Sequence, residues 1–286
     1  MADLILVTAT QMPVPDRESG LLMTALAQRG IEAAIRPWDR EWDWASAALV
    51  VCRTPWGYFL EVDAFLGWAH AVATATRLVN PVRTLAWNAH KSYLLDLERA
   101  GVPIVPTVLV RSAAPAAERD AALAGDHEVV IKPAVSAGAV GALRARLDRE
   151  RASCAEHLER LLSAGDALVQ PYQPAVAQRG EVSLVAFDGR FSHAVCKRPA
   201  PGDYRVQLYH GGDVAAHRPT SEELAVAAAA VAAAPTATSY ARIDLVAGRS
   251  GPIVMEAELI EPQLFLDADP EAPGRFADCL ARRLDL

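Results

Sequence analysis

Near the end of the chain, residue types alternate in a way that could support chemistry. Tyr240, Arg242 and Asp244 alternate with Ala241, Ile243 and Leu245. After a Gly248-to-Gly251 turn, Glu256 and Glu258 alternate with Met255, Ala257 and Leu259. A period of two is that of a strand, so each arm has a polar face and an apolar face. A turn centred on Ser250 predicts Asp244 opposite Glu256 and Arg242 opposite Glu258. Like charges directly opposite each other destabilise a sheet. Three carboxylates and one guanidinium on a half-sheltered face therefore call for a cation. Mg²⁺, or Mn²⁺ in its place, fits, because such ions take carboxylate oxygens and bring substrate phosphates with them. The competing reading is an edge hairpin whose acidic face is only solvated.

Further charged residues stand at strand ends. Lys91 follows Trp87-Asn88, read as a turn. Lys132 ends the apolar run Val129–Pro133. The small-residue loop from Ser136 to Gly141 comes next, and its N–H groups could close over phosphates. It lacks the spacing of a P-loop. Glu181 and Lys197 belong to a predicted hairpin turning at Asp188-Gly189. Arg53 follows an early strand directly, with Trp56 and Tyr58 just beyond. In an open parallel sheet ligands sit outside the carboxyl ends of strands. Arg53 is thus a candidate anchor for a substrate carboxylate, and Trp56 and Tyr58 are candidate pocket walls. A surface loop pinned by aromatics is the alternative. His90, His193 and His210 lack metal-ligand spacing and read as structural.

These residues need elements to hold them. Strands are predicted at 3–9, 31–35 and 47–52, with helices at 18–28 and 62–76. Strands alternating with helices imply a small open α/β domain with a parallel sheet, spanning residues 1–87. Beyond it, 88–170 would form a lobe carrying both lysines and the small-residue loop. Residues 171–286 would form an α+β lobe carrying the acidic hairpin. Thr220 and Glu223 make a capping box ahead of an alanine-rich helix that Pro235 ends.

Composition limits the partners. The chain has 286 residues, is 52% hydrophobic, and carries a net charge of −7, so a nucleic-acid surface is not expected. The longest apolar run, 224–234, is far shorter than the ~20 residues of a membrane span. Asp3 stands where a signal peptide carries positive charge. The four cysteines are scattered without a CxxC pair, which suits a reducing cytoplasm.

Taken in order, Lys91, Lys132, the glycine-containing loop, the strand 168–172, Arg242-x-Asp244 and Glu256-x-Glu258 resemble the ATP-grasp ligases. The resemblance covers about residues 80–266. Within that family the likeness is to the branch of D-cycloserine-forming O-ureido-serine cyclo-ligases. It is carried by Trp87-Asn88, Gly180–Ser183, Phe191–Lys197, Gly202–Gln207, Gly211-Gly212 and Glu256–Leu266. Two positions depart from the pattern: Gly57 and His90 stand where relatives often have aspartate.

The resemblance implies activation of a small amino-acid-like carboxylate by ATP, with ring closure or ligation to a second molecule to follow. Lys91 and Lys132 would hold phosphates, with Lys197 reaching them from the other lobe. Gln170, Tyr172 and the backbone of 168–173 would take adenine, and Glu181 would contact nucleotide or substrate. Asp244, Glu256 and Glu258 would bind the metal. Arg242 would face the transferring phosphoryl group. Arg205, with Gly211-Gly212, would anchor the substrate. A monomer and a homo-oligomer are equally compatible with this reading. A non-catalytic nucleotide-binding module is the alternative of another class, although such a protein needs fewer of these charges.

Overall fold

The computed structural model describes residues 2–13, 15–206 and 211–285. Among them are three sheets. The first takes β1 (Leu4–Thr8), β2 (Ala33–Pro37), β3 (Leu49–Cys52) and β4 (Arg77–Val79), all parallel, in the order β2-β1-β3-β4. The apolar runs of β1 and β3 are buried, as parallel strands covered by helices must be. Helices α1 (Glu18–Ala27) and α2 (Val62–Ala75) supply part of that cover. β2 starts at Ala33 rather than Ile31. The Ile31 N–H donates back to the Leu26 carbonyl, and Gly30 has a positive φ of 73°, so Ile31 completes the helix cap instead of starting the strand.

Helices α3 (Val82–Ala89) and α4 (Tyr93–Arg99) follow. Trp87-Asn88 is not a turn, as the sequence suggested, but the last turn of α3. The second sheet is antiparallel, in the order β5-β8-β6-β7. It contains β5 (Val108–Val110), β6 (Glu128–Pro133), β7 (Leu143–Arg146) and β8 (Ala167–Pro171), with α5 (Ala116–Ala122) after β5 and α6 (Leu147–Leu162) after β7. Leu158 and Leu162 of α6 close a core with Val129, Ile131 and Val169.

The third sheet is also antiparallel, in the order β11-β10-β9-β12-β13. After α7 (Ala175–Arg179) come β9 (Glu181–Phe187), β10 (Arg190–Arg198), β11 (Asp213–Ala216), α8 (Ser221–Ala232), β12 (Tyr240–Gly248) and β13 (Gly251–Glu258). The capping box opening α8 is present: Thr220 accepts from the Glu223 N–H, and Glu223 accepts from the Thr220 N–H. Ala227 and Ala230 of α8 pack on Leu184, Ile243 and Leu245. Part of the other face, around Glu181, Arg242 and Asp244, is left for charge, and the rest, with Val185, Phe187 and Tyr240, joins another core.

The last helix, α9 (Ala272–Leu284), covers the first sheet together with α1. Its Phe276 and Leu280 share a core with Leu4, Leu22 and Phe187. The first and third sheets are thereby joined through one apolar core. No helix among the described residues is long and apolar enough to cross a membrane.

Candidate active site

The acidic hairpin has the pairing its alternation suggested, Arg242 with Glu258 and Asp244 with Glu256, by a route the sequence did not show. The turn is the two residues Arg249-Ser250, half a position from Ser250, and pairs Gly248 with Gly251. A register shift between Asp244 and Leu245 restores the expected partners. Bulges of this kind re-aim side chains. Here the shift brings carboxylate oxygens of Asp244, Glu256 and Glu258 within 4.8 Å of one another.

The charged face continues across the neighbouring strands. Asp244 pairs with Ser183 on β9, and Glu181 pairs with Lys197 on β10. Lys197 Nζ lies 3.0 Å from Asp244 and 2.5 Å from Glu181. The Ser183 hydroxyl donates to Asp244 at 2.6 Å. Arg242 grips Asp244 through Nε and Nη2, both at 2.9 Å, and also pairs with Glu258. Burial disfavours charge on Asp244, yet Arg242 and then Lys197 hold its carboxyl well below the usual range. Glu258 fares differently: burial, reinforced by Glu256 and Asp244, outweighs Arg242 and pushes it up to about 7. The face thus carries more negative charge than its own cations satisfy.

Two lysines approach from the second sheet's side. Lys91 Nζ lies 2.9 Å from Glu256 and donates to the Ser136 carbonyl at 2.6 Å, tying the small-residue loop to the acidic strand. Lys132 forms no ion pair among the described residues. Burial lowers its pKa, and the neighbouring Lys91 adds to this, against the pull of Glu256. A half-buried ammonium held below its ordinary value is one that a ligand anion would relieve.

Several expected residues are engaged within the protein. Arg53, expected as a substrate anchor, is taken up inside the protein. It is 1% exposed, its Nη2 is 3.0 Å from Glu18, and its Nη1 donates to the Pro262 carbonyl at 3.3 Å. Glu18 in turn accepts from the N–H groups of Leu264 and Leu266. Arg53 and Glu18 therefore bind the chain beyond β13 to the first sheet. Tyr58 is buried among Phe59 and Phe65, with its hydroxyl against Glu261. Trp56 is half-buried and meets Phe59 edge-on at 5.6 Å.

Gln170 is buried, and its amide donates to the Thr107 hydroxyl at 2.8 Å. Backbone binding of adenine along all of 168–173 is corrected: Leu168 and Val169 are paired on both sides, with β5 and β6, so only 170–173 keep an open edge. The face of Tyr172 is covered by the Arg144 guanidinium at 3.7 Å, so that ring face is engaged within the protein. Arg205 forms an ion pair with Asp203 at 2.8 Å. Gly212 is explained by packing, because a Cβ there would strike the Val206 carbonyl. Gly211 has a positive φ of 81°. His193 is structural, its Nε2 bonding the Leu264 carbonyl at 2.7 Å, and His90 faces Asp166 at 3.5 Å. Gln207 and His210 lie outside the described residues.

Three contributors carry no role in the sequence reading. Ser183 supports Asp244, and its place two residues after Glu181 on one strand face was the available signal. Asn88 donates to the Ala257 carbonyl and accepts from the Leu259 N–H, each at 2.8 Å, holding the end of β13 as a partner strand would. Glu261 lies beyond the strand, where alternation stops being informative. Burial and then Glu258 push its pKa up to about 8, against Lys91 and Tyr58.

Known proteins resemble this chain in sequence and fold. Residues 4–80 match the profile of the D-cycloserine synthetase DcsG N-terminal domain, and residues 102–249 match that of the prokaryotic glutathione synthetase ATP-grasp domain. The chain is 36% identical over 312 aligned positions to the cycloserine biosynthesis protein DcsG of Streptomyces lavendulae, covering 99% of each. It is similar to the crystal structure of D-cycloserine synthetase DcsG, with a TM-score of 0.90 and 33% identity over 98% of this chain and 99% of that one. The D-alanine–D-alanine ligase of Bacillus anthracis shares the fold, with a TM-score of 0.71 at 13% identity over 99% of this chain and 97% of that one.

Proposed function

The chain belongs to the ATP-grasp ligases, in the family of D-cycloserine synthetase, and is an ATP-dependent enzyme forming carbon–nitrogen bonds; from that premise we propose that it phosphorylates the carboxylate of a small amino acid and closes the product onto a nitrogen of the same molecule. The observation that carries this reading is the charge arrangement of the site. Lys91, Lys132, Lys197 and Arg242 surround three converging carboxylates. Phosphoryl transfer needs little beyond positioning and charge neutralisation, and these groups supply both.

The donor set fits a hard cation. Asp244, Glu256 and Glu258 offer only oxygen, the chemistry Mg²⁺ prefers. When bound there, Mg²⁺ supplies charge neutralisation for the phosphates. Lys132 meets a phosphate as a point charge, and Lys91 does so while keeping the small-residue loop in place. Lys197 orients Asp244 and Glu181. Arg242, braced by Asp244 and the Gln263 carbonyl, presents a guanidinium where negative charge develops on the reacting carboxylate. Adenine would lie along the open edge at 170–173, with Gln170 fixed by Thr107. Arg205 and the Gly211-Gly212 segment remain candidates for the far end of the substrate. The four free cysteines fit a reducing cytoplasm as the setting.

The relative named for D-cycloserine synthesis makes O-ureido-serine the first substrate to try. Oxygen-18 placed in its carboxylate should appear in released phosphate, with ADP as co-product and a ring as organic product. AMP and pyrophosphate, or unlabelled phosphate, would refute the acyl-phosphate route. Label transfer with a linear, two-molecule product would keep the ligase and reject ring closure.

A further inference from the structure

We propose that Glu261, backed by the Tyr58 hydroxyl, holds the positively charged amino group of the substrate. This rests on the reading of the site as an amino-acid ligase and names the group that selects its substrate. The backbone around Glu261 is fixed from both sides. The Leu259 N–H donates to Asn88, the Tyr240 hydroxyl donates to the Ile260 carbonyl at 2.9 Å, and Arg53 donates to the Pro262 carbonyl. The side chain is thereby set at the seam between the acidic hairpin and the loop that follows β3. Its carboxyl is near enough to the Tyr58 hydroxyl for the two to interact, and it is half-buried.

Among the described residues no lysine, arginine or histidine forms an ion pair with Glu261. Lys91 is the cation acting on it, and Lys91 is committed to Glu256 at 2.9 Å. A sheltered carboxylate without its own counter-charge is costly, and a ligand cation removes that cost. An ammonium suits this corner better than a further metal ion. Glu261 is not one of the three carboxylates that converge within 4.8 Å, though Glu258 is near enough to act on it, and its neighbour Tyr58 is a neutral phenol held well above its ordinary pKa by burial. The ring of Phe59 adjoins Tyr58, and Trp56 adjoins Phe59.

The arrangement has a chemical consequence. An amine held on Glu261 stays protonated and has no lone pair, so it cannot attack the activated carboxyl. The attack is left to another nitrogen of the substrate, and the amine survives unaltered in the product.

The test is calorimetric binding to the full chain with Mg²⁺ and a non-hydrolysable ATP analogue. The probes are O-ureido-serine, serine and alanine, each in both enantiomers and each compared with its deamino analogue. The wild type should prefer an amine at least about tenfold, the size expected for one charge-assisted contact. Glu261→Gln should lose that preference while nucleotide binding still raises the melting temperature. In turnover the loss should appear in KM rather than kcat. Tyr58→Phe, which keeps the ring, should show a partial loss and serves if Glu261→Gln folds poorly. Equal affinity of wild type for amine and deamino forms, binding of no probe, a kcat defect at unchanged KM, or an altered Mg²⁺ requirement in Glu261→Gln would each overturn the inference. Amine preference without oxygen-18 transfer would leave Glu261 standing while the acyl-phosphate reading fell. Label transfer with no amine preference would do the reverse.

Discussion

Arg53 and Lys132 both sit at the end of a strand, and the surroundings give them different work. Arg53 is matched by Glu18 and the Pro262 carbonyl, so it fixes the position of the segment that carries Glu261. Replacing it with methionine leaves the Glu18 carboxylate buried and unpaired. Breaking a buried pair in this way costs about 3–5 kcal/mol. Arg53→Met should therefore lower the urea midpoint strongly, and Arg53→Met with Glu18→Gln should recover part of the loss. Substrate KM measured on the folded double variant separates the two roles. A large rise in KM at restored stability would return Arg53 to the substrate pocket. Lys132, in contrast, has no ion-pair partner among the described residues and sits among charges that a phosphate would complete.

At the scale of elements, the turn between β9 and β10 shows how local and distant demands meet. Asp188 and Gly189 both have positive φ, 49° and 71°, as a two-residue hairpin turn requires. That much follows from the dipeptide. The Asp188 carboxylate also pairs with Arg282 and Arg283 of α9, each at 2.8 Å, fastening the third sheet to the helix that covers the first. Burial raises the Asp188 pKa, but hydrogen bonds from Arg282 and Arg283 overcome this and hold it below its ordinary value. A lowered carboxylate pKa stabilises the fold above the unfolded value, and the benefit disappears as pH falls through the folded value. Asp188→Asn keeps a residue that tolerates positive φ, so the turn should survive. Because the arginines are partly solvated, the loss should be about 1 kcal/mol at neutral pH and smaller in high salt. Denaturation curves of wild type and variant should draw together as pH falls through the carboxylate range and coincide only below the folded pKa of Asp188. A difference that persists there would mean the turn itself had been damaged.

For the whole molecule, the site lies where two sheets approach each other, and its carboxylates repel until a ligand arrives. Ligand binding to the folded state alone should raise stability by about 2.7 kcal/mol at one hundred times the dissociation constant. Mg²⁺ with ATP should thus raise the melting temperature well beyond either alone, and a chelator should remove the shift. Lys132→Met should melt normally without nucleotide yet lose most of the shift, since one charge-assisted contact is worth about 1.5–3 kcal/mol. A full shift in that variant would remove Lys132 from the nucleotide site. Glu256→Gln should weaken the Mg²⁺ dependence instead.

The chain alone determined which face each strand residue takes, because side-chain direction alternates with a period of two whatever the strand packs against. Arg242, Asp244, Glu256 and Glu258 were legible for that reason, and so were the capping box of α8 and the turn at Asp188-Gly189. Tertiary structure decided what alternation cannot reach. The register shift beside Asp244 set the pairing of the acidic hairpin. Glu18, 35 residues before Arg53, turned a candidate anchor into a brace. Asn88, 169 residues before Ala257, replaced a missing strand neighbour. Glu261 and Tyr58 met only because the β3 loop and the end of β13 are drawn to one seam. Partners so far apart are selected by how cores pack and where buried charges find compensation, and no local pattern in the sequence encodes that distance.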